Sequence, residues 1–261
     1  MMTNGTDERY HVRSVSRAAQ VLEHLATATD GMTVTEVARV TGGSKSSIFS
    51  TLQTLESHGL VSSEGEGPQR RYFLGLALAR YGEIAVNRVS IRDVALPELR
   101  RLTDETHLSS RVAKPERGHA VIVGRVDAPA SVRFDLHMGQ RELPHCSGLG
   151  KAVTAELDDD TARALLDSAG MPARTRKTIT DPDELIAQLA DVRRRGYAVD
   201  DEEDAEGIYC VGAVARNHRG ECAGAISVTG LKLDVTEDRL HELGELVRKH
   251  ADRISARLGW S

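Results

Sequence analysis

The sequence is poor in cysteine. Its three cysteines, Cys146, Cys210 and Cys222, lie far apart in 261 residues, and none belongs to a CxxC pair. This spacing disfavours a disulfide framework and a zinc knuckle, and reduced thiols are typical of the cytoplasm. We therefore expect a cytoplasmic protein with no bound metal or other cofactor.

Long hydrophobic runs and familiar catalytic motifs are also missing. Nowhere do eighteen apolar residues run together, and the N-terminal stretch MMTNGTDERYHVRSVSR is polar. These absences disfavour a membrane span and a signal peptide. No GxSxG, HExxH or P-loop motif occurs, so the sequence gives little support to hydrolase, zinc-protease or nucleotide-binding sites.

The chain has no excess of basic residues. Its net charge is −5, and residues 1–80 contain eight Lys and Arg against eight Asp and Glu. A protein that binds polyanions without discrimination would be strongly basic. Any contact with nucleic acid must therefore depend on the local placement of a few side chains, such as Arg13, Arg17, Lys45, Arg70 and Arg71.

Three short helices are predicted near the N-terminus. Apolar spacing predicts a first helix that buries Val15, Leu22 and Leu25 and begins at Ser14. The stretch TVTEVARVTGG predicts a second helix with Thr33 or Thr35 as its N-cap. GGSKSSIFSTLQTLESHGLV then predicts a third helix, capped by Ser44 and ending near His58, with one apolar and one polar face.

A hairpin is predicted directly after the third helix. The β-prone patches LVSS and RYFLG flank EGEGPQR, whose glycines and proline favour a turn. Three helices and a hairpin within about seventy residues form the winged helix-turn-helix arrangement, in which the third helix lies in the major groove of DNA. We assign residues 10–75 to this DNA-binding domain.

The remaining chain is predicted to be a linker helix and a second domain. The pattern LALARYGEIAVNRV favours a helical linker over residues 76–90. Beyond it, strands are predicted from AVIVGRVDA, SVRFDL, GIYCVGAVARN and ECAGAISVTG, with amphipathic helices between and after them. The expected fold is α+β, and residues 91–261 form a mixed α/β domain with a mainly antiparallel sheet.

Two long stretches resemble one known family. TVTEVARVTGGSKSSIFSTLQTLESHGLV with RRYFLGLALARYG is similar to the winged helix domain of the IclR family of bacterial transcriptional regulators. GYAVDDEEDAEGIYCVGAVARN with GAISVTG is similar to that family's C-terminal effector-binding segment, and MGQRELPHCSGLGKAV resembles the segment that closes its pocket. The resemblance spans nearly the whole chain.

The resemblance implies a GAF-like effector-binding domain. Such a domain binds a small organic molecule, usually a carboxylate or an aromatic metabolite, and alters how a homodimer or homotetramer holds an operator in double-stranded DNA. The family's pocket-lining positions match Asp200, Ile208, Cys210, Ser227 and Thr229. Its anion-binding backbone amides match Ser147, Gly148 and Leu149. The start of a helix suits that last role, because its free N–H groups favour an anion.

The candidate DNA contacts cluster on the third helix and the wing. Short serine side chains and a lysine beside a helix N-terminus suit phosphate contacts, and Gln53 and the wing suit additional readout. The candidates are Arg17, Ser44, Lys45, Ser46, Ser47, Phe49, Ser50, Gln53, Arg70 and Arg71. Each serine is as well explained by capping or solvation, and Phe49 is better explained by core packing than by contact with a thymine methyl group.

Strand alternation brings three small polar side chains to one region. Cys210 faces away from Tyr209 and Val211, while Ser227 and Thr229 share a face of their strand. They could converge on a carboxylate or hydroxyl group. The alternatives are that Cys210 is a small buried hydrophobe and that the two hydroxyls satisfy backbone groups.

The evidence that other polar residues bind an effector or a metal is weaker. Asp200 lies in the charge run DDEED, whose usual meaning is a solvated loop or a helix start. His137, Arg141, His145 and Cys146 lie in one stretch, but their spacing matches no metal motif, so solvated or pocket-rim positions are expected. Arg133 or Arg141 could supply a positive charge for a carboxylate.

The leading hypothesis is a transcriptional repressor or activator that a small effector modulates through the linker helix. One alternative is a hydrolase-type enzyme that uses Cys210 as its nucleophile, although the apolar strand YCVG lacks the setting that activates a thiolate. The other is a protein-interaction module that uses the winged helix without DNA.

Overall fold

The computed structural model describes residues 12–87, 90–129, 138–233 and 235–260. The chain divides into two compact units, of residues 1–88 and 89–261. The strand predicted from SVRFDL, together with Arg133 and His137, lies outside the described residues. No helix in these ranges is both long and apolar enough to cross a membrane.

The N-terminal unit has the predicted winged helix-turn-helix architecture. Its elements in chain order are α1 (Arg13–Ala26), β1 (Met32–Thr33), α2 (Val34–Thr41), α3 (Lys45–Ser57), β2 (Val61–Glu64), β3 (Arg71–Leu74) and α4 (Ala77–Asn87). β3 lies between β1 and β2 in a small antiparallel sheet. Val21, Val37, Ile48, Leu52 and Tyr72 form the centre of the core that joins helices to sheet.

Local capping defines the start of α2, whereas α1 differs from the prediction. The Thr33 hydroxyl accepts a hydrogen bond from the Glu36 amide, and the Glu36 carboxylate accepts one from the Thr33 amide, which together form a capping box. Val12, not Ser14, is the N-cap of α1. The helix buries Val21 and leaves Val15 exposed, so the predicted apolar face is rotated.

The C-terminal unit is the predicted α/β domain. Its elements are α5 (Ile91–Thr106), β4 (Ser109–Glu116), β5 (His119–Val126), α6 (Gly148–Thr154), α7 (Asp159–Ala169), α8 (Pro182–Arg195), β6 (Ala198–Asp201), β7 (Ile208–Arg216), β8 (Cys222–Leu231) and α9 (Glu237–Arg257). The strand order is β5-β4-β8-β7-β6, and every neighbouring pair is antiparallel. The prediction of a mainly antiparallel sheet is confirmed.

The two faces of this sheet pack against different helices. Inward-facing residues of β7 and β8, such as Val211 and Val228, pack with α5 and α9 in one core. Side chains of the opposite face, including Ala113 and Ala225, pack against Leu149 and Val153 of α6. The alternation of strand residues places Arg111, Asp200, Cys210, Ser227 and Thr229 on this α6 face of the sheet.

Candidate functional site

Helix α3 presents its polar face to solvent, as its sequence pattern predicts. Ile48, Leu52 and Leu55 are buried against the rest of the unit. At its N-terminus the Ser44 hydroxyl accepts a hydrogen bond from the Ser47 amide at 3.3 Å. The exposed residues at the beginning of the helix are Ser44, Lys45, Ser46, Phe49 and Ser50. These five side chains form the surface that could meet a DNA groove.

The exposure of Phe49 and the hydrogen bonding of Ser50 bear on DNA contact. The Phe49 side chain is 47% exposed, so the expectation that it packs in the core is wrong. The Ser50 hydroxyl donates to the Ser46 carbonyl at 3.1 Å, a bond within the helix that an exposed serine can exchange for a phosphate. Phe49 therefore has the exposure that contact with a thymine methyl group requires.

Arg17 and Ser47 contact each other instead of standing free. A guanidinium nitrogen of Arg17 donates to the Ser47 hydroxyl at 2.5 Å and ties α1 to the first turn of α3. Ser47 is only partly exposed. This pair positions the beginning of α3. The guanidinium N–H groups of Arg17 that do not bond to Ser47 are available to a phosphate.

Gln53 and Arg70 belong to one network centred on Glu56. Arg70 donates to both carboxylate oxygens of Glu56 at 2.9 Å, and Gln53 donates to Glu56 at 3.1 Å. Ser63 also donates to Glu56, at 2.5 Å. The hydrogen bond from Ser63, with Arg70 adding to it against the effect of burial, holds the pKa of Glu56 below its usual value. The network fastens α3 to the wing.

The tip of the wing carries negative charge, whereas its base carries arginine. Arg71 donates to the carbonyl oxygens of Asp30 and Gly31 at 3.3 and 2.9 Å, so its guanidinium anchors the base of the wing. The tip, residues 64–69, is exposed and contains two glutamates without a basic residue. DNA phosphates repel the negative charge of such a tip. The sequence EGEGPQ, with two glutamates and no basic residue, already indicates this repulsion.

A cavity of about 250 Å³ opens on the α6 face of the C-terminal sheet. Five of the eight residues predicted to bind an effector line it, namely Ser147, Asp200, Ile208, Cys210 and Thr229. The other lining residues include Arg111, Gln140, Glu142, Arg174 and Asp204. The sequence patterns predict no role for these five residues, although they predict the part of the sheet on which the cavity lies.

The three other predicted effector residues lie beside this cavity. The Gly148 backbone lies against β7, since a Cβ atom on Gly212 would come within 2.6 Å of the Gly148 carbonyl oxygen. The Leu149 side chain is buried in the core beneath α6. Ser227 is fully buried directly across from Gly212 in the sheet. Ser147 caps α6 by accepting from the Gly150 amide at 2.9 Å.

Arg111 is the central charge of the cavity. It is 5% exposed, and one guanidinium nitrogen donates to the Thr229 hydroxyl and, at 3.3 Å, to the Cys210 sulfur. A second nitrogen lies 3.4 Å from a carboxylate oxygen of Glu142. Of the three side chains expected to converge, Cys210 and Thr229 lie 3.1 Å apart and both accept from this arginine, whereas Ser227 does not line the cavity.

One of the two cations suggested by the sequence, Arg141, does not line the cavity, and the other, Arg133, lies outside the described residues. Arg141 is half-exposed and lies 3.6 Å from Glu116, away from the cavity lining. His145 is buried, with a ring nitrogen 3.2 Å from the Pro172 carbonyl oxygen, so the expectation of a solvated or rim position is wrong for it. Cys146 is buried too, and its sulfur lies 3.6 Å from Asp204. Among the described residues no group of His, Cys, Asp and Glu has the arrangement of a metal site.

Asp200 is buried, which contradicts its interpretation as part of a solvated charge run. It is 2% exposed on β6, and one carboxylate oxygen accepts from the Glu203 and Asp204 amides at 2.8 and 3.3 Å. Burial raises the pKa of Asp200 to about 7 despite these bonds. The cavity therefore contains a carboxyl group that changes protonation near neutral pH.

We expect the stability of the wild type relative to Asp200→Asn to fall as pH rises from about 4 to about 7. In this range the folded state holds a proton that the unfolded state has released, because the pKa of Asp200 is 3.8 when unperturbed and about 7 when buried. The slope reaches about 1.4 kcal/mol per pH unit. Urea unfolding at several pH values measures it, and parallel curves for the two proteins would contradict the assignment.

Cys210 does not have the environment of a nucleophile. Burial is the main cause that raises the pKa of its thiol to about 12, against the opposing effect of Arg111. A thiol with this pKa is protonated at neutral pH and reacts slowly. The geometry thus disfavours the hydrolase alternative.

Sequence comparison relates both units to one family. A family profile described as the IclR helix-turn-helix domain matches residues 14–65, and one described as bacterial transcriptional regulator IclR C-terminal matches residues 83–256. The chain is 30% identical over 250 residues to the transcriptional repressor IclR of Escherichia coli K12, a match that covers 95% of this chain and 90% of that protein.

Solved structures agree with this relation. The repressor BlcR of Agrobacterium tumefaciens has a TM-score of 0.82 at 22% identity, covers 96% of this chain and 98% of its own, and supports the fold. The IclR protein of Thermotoga maritima has a TM-score of 0.62 at 26% identity, with 96% and 100% covered.

Proposed function

This chain belongs to the IclR family of bacterial transcriptional regulators, and we propose that a small organic effector in its C-terminal unit modulates sequence-specific operator binding by its winged helix. The observation that carries the proposal is the buried, charged cavity on the α6 face of the sheet. A globular core does not need such a cavity for stability, because buried charges are costly unless they are paired. As a member of this family of regulators, the chain is not an enzyme.

On the DNA side, the exposed start of α3 is the proposed groove surface. Ser44, Lys45 and Ser46 lie at the positive end of the helix, where a phosphate is favoured. Arg17, Ser47, Gln53, Arg70 and Arg71 already have protein partners, so we propose that they mainly position α3 and the wing. Direct contacts then come chiefly from the exposed side chains, which are Ser44, Lys45, Ser46, Phe49 and Ser50.

We also propose that the protein acts as a homodimer, which can pair into a tetramer. The support is a row of exposed apolar side chains at and before α4. Leu76 is 90% exposed, and Tyr81 and Ile84 are about half-exposed. Exposed apolar rows of this kind typically pack against another surface.

A thermal-shift screen tests the effector part of the proposal. Small carboxylates, sugar acids and aromatic acids are added to the full chain, and each hit is repeated on Cys210→Ala and Thr229→Val. A ligand of the cavity raises the melting temperature of the wild type by mass action and loses its effect in both variants. Cys222→Ala is the matched control, because Cys222 lies outside the cavity lining. Equal shifts in all four proteins would contradict the assignment.

The DNA part is tested by selecting genomic fragments that the protein retains at low salt. Enrichment of one or a few upstream regions over bulk DNA is the expected result. Adding a hit from the thermal screen then changes the affinity for the enriched fragment, since binding at the two sites is reciprocally coupled. Uniform retention of all fragments would contradict sequence-specific binding, and retention of none would favour an interaction module that works without DNA.

A further inference from the structure

We propose that the effector is a small aliphatic zwitterion, with its carboxylate held by Arg111 and its amino group held by Glu142 and Asp200. This inference rests on the proposed effector pocket and specifies the chemistry of its ligand. It narrows the expectation of a carboxylate or aromatic metabolite to a molecule with charges of both signs.

The anionic end is indicated by two buried donors that lack partners. Within the described residues, neither the Nε atom of Arg111 nor the hydroxyl of Ser227 has a hydrogen-bond partner. Arg111 and Ser227 lie directly opposite each other on β4 and β8 and share the α6 face of the sheet. Buried polar groups in native proteins are normally satisfied. A carboxylate against Arg111 supplies these two donors with an acceptor that the described residues do not offer.

The cationic end is indicated by buried carboxyl groups on the same cavity. Glu142 and Asp200 are both buried, and Asp204 and Arg174 lie at the more exposed side, 3.4 Å apart. Burial is the main cause that raises the pKa of Glu142, against the effect of Arg111. Buried carboxyl groups of this kind are poorly solvated. Their electrostatic attraction for an ammonium group beside them is therefore stronger than it would be in water.

The balance of charge disfavours a second anionic group on the ligand. Two arginines, Arg111 and Arg174, and three acids, Glu142, Asp200 and Asp204, line the cavity. Arg111 lies 3.4 Å from Glu142, a loose ion pair that leaves room for a ligand to exchange partners. The second carboxylate of a dicarboxylate would lie against Glu142 and Asp200, where the lining offers carboxyl groups instead of a cation. A zwitterion matches both signs and adds no net charge.

Size and surface chemistry restrict the rest of the ligand. A volume of about 250 Å³ lies below the range of pockets that hold drug-sized molecules. None of the described residues that line the cavity is aromatic. Aromatic ligands are typically stacked or packed against such rings. A short aliphatic molecule therefore fits better than an aromatic acid.

Matched probes test the inference by calorimetry on the full chain. The zwitterions are glycine, alanine, serine, threonine, valine and β-alanine. For each, the probe set contains the acid without its amino group and the amide without its carboxylate, with succinate and benzoate as further anions. We expect at least one zwitterion to bind tenfold or more tightly than both of its matched partners.

Two variants separate the ends of the ligand. Glu142→Gln should weaken binding of the zwitterion by tenfold or more without weakening binding of the matched acid, for which Glu142 is only a competitor at Arg111. Arg111→Met should weaken both. Glu116→Gln is the control, since Glu116 is half-exposed and outside the cavity lining. Melting curves of the unliganded variants show that each is folded before it is titrated.

The possible results distinguish this inference from the proposed function. If an acid or succinate binds in the cavity as tightly as any zwitterion, the zwitterion inference is wrong and the effector pocket stands. If no zwitterion binds and the wider thermal-shift screen also gives no hit, both proposals fail. Equal loss of acid and zwitterion binding in Glu142→Gln would also overturn the assignment of the amino group.

Discussion

Replacing Lys151 with methionine should lower the free energy of unfolding of the C-terminal unit by about 3–5 kcal/mol. Lys151 is fully buried in α6, and its ammonium group lies 2.6 Å from both carboxylate oxygens of Glu203 and 3.0 Å from the Gln188 side-chain oxygen. Methionine fills the same volume but leaves the buried Glu203 without a cation. This ion pair joins α6, whose N-cap Ser147 lines the cavity, to the β6–β7 connection, which contributes Asp204 to the lining.

The pH dependence of this loss identifies its cause. Burial already raises the pKa of Glu203 against the effect of Lys151, and loss of the lysine removes the main opposition to this rise. A carboxyl group whose folded pKa is raised destabilises the protein progressively as pH rises through the range between its unfolded and folded pKa values. The loss in Lys151→Met should therefore be larger at pH 8 than at pH 5.

Unfolding of this unit can be followed by the fluorescence of Trp260, the only tryptophan. Lys151→Met combined with Glu203→Leu is the matched control, because it removes both charges and should recover most of the stability. A loss below 1 kcal/mol in the single variant, or an equal loss in the double variant, would show that the ion pair does not hold the cavity wall.

Replacing Gly75 with alanine should destabilise the N-terminal unit by about 3 kcal/mol. Gly75 is buried between β3 and α4, and a Cβ atom there would lie 2.1 Å from the Gly59 carbonyl oxygen. The Gly75 amide also donates to the Leu60 carbonyl at 2.9 Å, so the two backbones cannot separate without losing this bond. The wing and the end of α3 would have to shift.

Gly82→Ala is the matched control and should have the opposite effect. Gly82 is exposed within α4, and beyond the adjacent residues and the helix's own backbone no described atom lies within 4 Å of a Cβ atom built on it. Alanine in a helix interior is favoured over glycine by about 0.5–1 kcal/mol. Thermal unfolding followed by circular dichroism measures both variants. Similar melting temperatures for Gly75→Ala and the wild type would mean that this close backbone approach is absent.

Local signals explain why so much of the N-terminal unit could be predicted. The capping residues Thr33 and Ser44 and the apolar positions of α3 act within a few residues of one another, and sequence patterns report such short-range effects directly. The exposure of a side chain depends on more distant parts of the chain than capping does. Val15 fits the helical pattern of α1, yet it lies on the solvent side because Val21 and Leu25 define the buried face.

The cavity was predicted only in part, because its key residue depends on long-range pairing. β4 has the sequence SSRVAKPE, whose few apolar residues give no clear strand pattern, so Arg111 was not a candidate. Its place in the cavity follows from the pairing of Arg111 with Ser227, residues 116 positions apart in the chain. Asp200 likewise looked solvated, but its pairing with Cys210 places it under α6.

The salt dependence of operator binding tests the central claim most directly. An enriched upstream fragment is titrated by fluorescence anisotropy at several salt concentrations with wild type, Lys45→Ala and Lys249→Ala, the last an exposed lysine of α9. We expect affinity to fall steeply with salt, and Lys45→Ala to weaken binding about tenfold or more and to reduce the slope of log K against log salt by about one for each α3 helix on the DNA. Lys249→Ala should match the wild type. A slope and affinity unchanged in Lys45→Ala would contradict the assignment of α3 as the DNA-reading helix.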